Sequence, residues 1–201
     1  MKNFIVTLLI LGGAIASEFT ANHFQYKDQG NGSGRLNLNL GNIEFDSHEN
    51  LKKIKYPNTG QLFEVGMPDL PTFSTLYRVD KNVDFEVEYQ INDSYSIEDI
   101  DLIPYFENED KKQSYKGNQL NLYSYSQIES YPNNQLNISK TKTFRDINVI
   151  SIEFIPFKYF PEERRLEVYN NVDISITPET AMTENSNIQY SRPFVKMYES
   201  I

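Results

Sequence analysis

The sequence predicts an all-β domain, an antiparallel two-sheet β-sandwich of jelly-roll or immunoglobulin-like kind running from about Gly34 to Ile176. Three observations support this. Short runs alternate apolar and polar residues, which puts one face of a strand on a core and leaves the other wet. Turn-forming clusters separate the runs at short intervals. The aromatic residues, 14 Tyr and 13 Phe with no Trp, sit beside β-branched residues, and no segment carries a capped helical stripe.

Residues 17–34 hold Asp28, Gly30, Gly32 and Gly34 among polar neighbours and read as a leader into the first strand. In Arg35 to Leu40, the leucines 36, 38 and 40 alternate with Asn37 and Asn39. The clearest strand is Val83 to Ile91. There Val83, Phe85, Val87, Tyr89 and Ile91 face one way and Asp84, Glu86, Glu88 and Gln90 the other, a pattern that a helix would scatter around its circumference. Further strands are predicted at Phe73 to Val79, Ile97 to Ile103, Gln119 to Tyr125, Asn137 to Thr143, Asn148 to Ile155, Arg165 to Tyr169 and Val172 to Ile176. Reversals are predicted at Asn92-Asp93-Ser94, Tyr131-Pro132-Asn133-Asn134, Pro161-Glu162-Glu163 and Asn170-Asn171. Between strands, Glu107 to Asn118 is charged and turn-rich, an exposed loop where function is expected, and the residues after Pro178 turn polar again.

At the N-terminus, Lys2 precedes an apolar run from Phe4 to Ile15, and Ala14-Ile15-Ala16 offers small residues for cleavage. Residues 1–16 are therefore expected to be a signal peptide, leaving a chain that starts at Ser17, is exported to the periplasm, cell surface or medium, and has no membrane span. The run is shorter than the ~20 residues a spanning helix needs. With 28 acidic against 19 basic residues and a net charge of −9, a nucleic-acid partner is excluded for want of a basic field. There is no cysteine, so thiolate catalysis and thiolate zinc sites are excluded. Two histidines, His23 and His48, give a triad or a multi-histidine metal site little to work with. The domain is expected to act by binding, without catalysis and without a cofactor or metal.

The remaining motifs each have a plain structural reading. Glu98, Asp99 and Asp101 could supply oxygen ligands or acid/base chemistry, but they lack calcium-loop spacing and read better as a solvated face. Asp28 with Gly30, Asn31 and Gly32 describes a flexible turn as well as a cation site. Three Asn-X-Ser triplets, at Asn31, Asn92 and Asn137, receive no role. Arg164-Arg165 reads as a pair balancing the acids of its own turn. Lys111, Lys112 and Lys116 either neutralise Glu107, Glu109 and Asp110 or project as substrate-like side chains towards an acidic pocket. Composition alone favours the first.

Taken in order, Gly66-Met67-Pro68-Asp69-Leu70-Pro71, Tyr131-Pro132, Phe154-Ile155-Pro156-Phe157-Lys158-Tyr159-Phe160-Pro161 and Leu166-Glu167-Val168-Tyr169 resemble the N-terminal propeptide of gingipain-type cysteine peptidases. The likeness runs from about Tyr56 to Ile176. It implies a β-sandwich prodomain over residues 35–178 that assists folding of the peptidase and keeps it latent, in cis or in trans. A basic loop residue would then lie in the active-site cleft, with Lys112 the first candidate, then Lys111, then Lys116. Residues 179–201 resemble the bridge towards a peptidase domain absent from this sequence. The competing expectation is an exported structural, adhesive or carbohydrate-binding sandwich that uses its tyrosines as a stacking platform.

Overall fold

The computed structural model describes residues 23–48, 50–79, 83–105, 128–144 and 147–179. They form β-strands joined by turns. The strands are β1 (Phe24–Gly30), β2 (Ser33–Asn39), β3 (Glu44–His48), β4 (Leu51–Lys55), β5 (Gly60–Gln61), β6 (Pro71–Val79), β7 (Phe85–Ile97), β8 (Leu136–Ile138), β9 (Lys142–Phe144), β10 (Ile147–Phe154), β11 (Phe157–Phe160) and β12 (Arg165–Pro178). Two five-stranded antiparallel sheets and a β3–β4 hairpin result. No helix among the described residues is long and apolar enough to cross a membrane.

β12 organises the first sheet. Along one side it pairs with β7 over nearly its whole length, and along the other it pairs first with β11 and then with β2. β1 closes the sheet beyond β2. In the second sheet β10 plays the same part, with β6 on one side and β8 and β9 in succession on the other. The alternation in these central strands is obeyed. Leu166, Val168, Val172, Ile174 and Ile176 of β12 are buried, as are Ile150, Ile152 and Phe154 of β10. With Leu36, Leu38, Phe73 and Tyr77 they belong to one hydrophobic cluster. Each such side chain contributes about 1.5–3 kcal/mol when fully buried.

Several expectations change. Residues 17–34, read as a leader, contain β1, whose Asn31-Gly32 reversal has φ of 52° and 77° and matches a two-residue hairpin turn. Only Phe24 of β1 is buried, so this edge strand has almost no apolar period to read. The strands expected at Arg165–Tyr169 and Val172–Ile176 are one, and β7 runs on through Asn92-Asp93-Ser94 to Ile97. The two expected reversals lie opposite each other as a bulge. Their side chains complete one another: Asn92 Nδ2 donates to Asn171 Oδ1 at 2.9 Å and Asn170 Nδ2 donates to Asp93 Oδ2 at 2.8 Å. Asn37 Nδ2 donates to Asn171 Oδ1 and Asp173 Oδ1 at 3.1 and 2.9 Å. Asn-rich dipeptides thus make cross-strand bonds here that they would otherwise make within a turn.

Asn137–Thr143 divides into β8 and β9, and β5, β11 and the β3–β4 hairpin are not among the expected strands. The Ile97–Ile103 strand is not formed, because Asp99 at φ 55° breaks it and the chain bridges instead to Lys52 and Pro68. Gln119 to Tyr125 lies outside the described residues. The apolar face of β7 is covered only in part: Phe85 and Val87 pack on the core, whereas Tyr89 and Ile91 remain 39% and 38% exposed. Among the described residues β7 pairs with β12 alone, at the edge of its sheet.

Asp173 carries a pH dependence. The Asn37 hydrogen bond, aided by Asn92 and Arg35, outweighs desolvation and holds its carboxyl below the usual carboxylate range. Its stabilising contribution is present above the unfolded-state value of about 3.9 and is lost as pH falls through the lower folded value. Asp173→Asn should therefore flatten the acid limb of a urea-midpoint profile, and an unchanged limb would assign it to other carboxylates.

Candidate functional site

The site is the base of the segment between Tyr105 and Ile128. Its entry segment is clamped by the Gly66–Pro71 motif: Gly66 N donates to Tyr105 O at 2.9 Å, Tyr105 N to Met67 O at 2.8 Å, and Asp69 N to Ile103 O at 2.9 Å. Pro68 meets Pro104 in an isolated antiparallel bridge. Proline cannot donate, so the neighbours of the two prolines make the bonds. On the far side Ile103 N donates to Lys52 O at 2.9 Å, and Lys52 N donates to Asp101 O at 2.8 Å.

The exit is tied down equally. Ile128 packs on the core. Tyr131, buried and followed by a cis bond to Pro132, exchanges backbone bonds with Tyr159 at 2.8 and 2.7 Å. Tyr159 is 1% exposed, and its hydroxyl donates to Ile100 O at 3.0 Å. Burial, with the Asp101 charge adding, pushes that phenol up to about 12. The Tyr131 phenol is pushed up as well, first by burial and then by the nearby Glu64 carboxylate. The Tyr159 hydroxyl therefore keeps its proton, and its bond to Ile100, well above neutral pH.

Glu64 belongs to the turn that carries the entry clamp. Its carbonyl accepts from Met67 N at 3.1 Å across the turn Glu64-Val65-Gly66-Met67, and Gly66 sits at φ 83°, a position that favours glycine. Below this turn the Lys53 ammonium lies 2.8 Å from Asp69 Oδ2, with the Asp69 side chain only 7% exposed. On the turn's outer side Phe63 and Val65 are 72% and 50% exposed, and the Phe63 ring meets Tyr105 edge-on at 5.3 Å.

Lys111, Lys112 and Lys116 lie outside the described residues. Arg164 and Arg165, by contrast, are held. Arg164 reaches Asp101 at 3.1 Å and Asp99 at 3.6 Å, and Arg165 pairs with Glu163 and Glu167 while stacking on Phe160 at 4.0 Å. Of the acids Glu98, Asp99 and Asp101, two serve Arg164. Among the described residues no group of three or more His, Asp or Glu could hold a metal ion. His23 packs edge-on against Phe73 and Tyr56 at 5.0 and 5.5 Å, and its Nε2 donates to Asn58 O at 3.1 Å. His48 is exposed on β3. The exposure of Phe63 and Val65 is not legible in the sequence alone.

The sequence matches the Propeptide_C25 family over residues 34–195. The chain belongs to that family, the propeptides of gingipain-type peptidases. A propeptide domain is not itself catalytic. Two solved structures from Porphyromonas gingivalis share its fold. The complex of RgpB pro- and mature domains superposes with a TM-score of 0.71 at 17% identity, covering 90% of this chain and 95% of the other. A structure on the zymogenic latency of gingipain K gives 0.64 at 15% identity, covering 82% and 96%. A search of the curated proteins found no match.

Proposed function

We propose that this propeptide domain assists folding of a gingipain-type cysteine peptidase and inhibits it by placing a basic side chain of the Glu107 to Asn118 loop in the active-site cleft. Residues 1–16 act as the export signal, the strands from β1 to β12 form a sandwich of two sheets around one core, and residues 179–201 lead towards the peptidase. Three considerations support this reading. The family is one of propeptides, and the two structural neighbours concern a pro-mature complex and zymogenic latency. The observation that carries it is that both ends of the 106–127 segment are fastened to one hydrogen-bonded frame through Tyr105 and Tyr131. Fixing both ends narrows the volume that the intervening chain can explore. The only adjacent arginines in the chain, Arg164 and Arg165, are engaged by carboxylates and are poorly available for such a role.

The test is direct. The chain from Ser17 is assayed against the gingipain-type peptidases of the same genome, with peptide substrates carrying Arg or Lys at the cleaved bond. Competitive inhibition of at least one peptidase is expected; none at micromolar concentration would sink the inhibitory reading.

A further inference from the structure

We propose that the residues after Glu179, centred on Arg192-Pro193-Phe194-Val195-Lys196-Met197-Tyr198, are seated in an open apolar groove between the two sheets. The groove has a volume of about 280 Å³ and lies between the start of β7 in the first sheet and β8 and β10 in the second. Phe85, Val87, Ile138 and Ile150 supply its apolar lining, and Asp84 and Lys140 stand exposed at its rim. Ile138 pairs with the fully buried Ile152 yet is itself 44% exposed, so the inner face of the second sheet is uncovered here. On β7 the lining face continues as Tyr89 and Ile91, which are also partly exposed, and apolar surface therefore runs on beyond the groove. A small-molecule site usually encloses roughly 300–1,000 Å³. A shallower groove continued by an apolar strip suits the side chains of an extended segment instead.

Position selects the occupant. Pro178 pairs with Phe85, and Glu179 N donates to Asp84 O at 2.8 Å. Glu179 is the last described residue, so the chain leaves its sheet against two residues that line the groove. An extended chain gains about 3.3 Å per residue, which lets Phe194 return from Glu179 along the whole groove. Tyr131, which follows the 106–127 segment, is tied at the opposite end of β7, through Tyr159 and Leu166 to Ile97. Charge agrees with position. Asp84, Glu86, Glu88 and Glu179 are exposed along this side and make no ion pair among the described residues, while Arg192 and Lys196 flank Phe194-Val195. Seated there, the segment shortens the free tether to the peptidase and raises the effective concentration of each partner at the other. That consequence rests on the function proposed above, whereas the seating itself does not.

The chain has no cysteine, so a single introduced one carries a nitroxide label at a known place. In the chain from Ser17, a label at Thr141→Cys, on the groove, should remove most of the amide NMR intensity of residues 194–198. A label at Glu162→Cys, in the turn between β11 and β12, should leave that intensity in place. Ile138→Ser, added to the Thr141→Cys chain, should restore the signals without changing the melting curve. No loss from the Thr141 label overturns the proposal, and so does a loss that survives Ile138→Ser. Loss confined to residues 106–127 would give the groove to that segment. Equal loss when nitroxide and isotope are on different chains would give it to a second copy. Either result overturns the proposal, and none of these results bears on inhibition, which the peptidase assay decides.

Discussion

Phe154→Ala is expected to destabilise the domain by about 3–5 kcal/mol, the range for removing a fully buried aromatic side chain. Phe154 is 0% exposed. It stands opposite Phe73 of β6 and Leu136 of β8 within its own sheet, and its ring meets Tyr89 of β7, from the other sheet, at 5.2 Å. Removing it opens a cavity where the two sheets touch, at a position that β-sheet hydrogen bonding on both sides prevents from collapsing. Denaturant titration should show a lower midpoint with an unchanged slope. A loss below about 1 kcal/mol would mean that the sheets close over the gap. Phe154→Leu, which keeps most of the volume, should cost clearly less.

Lys111→Ala combined with Lys112→Ala is expected to raise the inhibition constant by about 30-fold to 100-fold, the loss seen when a desolvated charged anchor is truncated at an interface. The physical reason lies with the partner. A pocket that prefers Arg or Lys presents buried carboxylate, and an alanine leaves that charge unpaired. Folding should be unaffected, so thermal melting serves as the control. Unchanged inhibition would remove the loop mechanism and leave the propeptide to act through its sheet surface alone. Lys116→Ala, measured separately, shows whether the register of the loop lies further along.

How much of this is legible in the sequence depends on burial. β12 and β10 are flanked on both sides, so their apolar residues recur at every second position and can be read directly. β1 is not legible, because at a sheet edge only Phe24 needs to be apolar. Even so, Asn31-Gly32 is a hairpin signal whose flanks simply lack a period. The bulge is not legible because Asn92-Asp93 and Asn170-Asn171 have turn chemistry, and only the pairing of β7 with β12 shows where their bonds go. For the site, the prolines and Gly66 mark the clamp, yet nothing local ties Tyr131 to Tyr159 or brings Phe63 to Tyr105, since these contacts join residues far apart in the chain. The candidate lysines follow from charge and from family resemblance.

The central place of β12 sets synthesis order against assembly order. Leu36 and Leu38 must await Ile174 and Val172, their partners more than a hundred residues later. Until that last long strand arrives, β2 and β7 have no common neighbour to join them into one sheet. Such distant pairing slows folding, because a long loop must close before its contacts reward it. Before then the β1–β2 hairpin and the β6–β10 pairing can form, but the first sheet is complete only once residues 165–178 are in place.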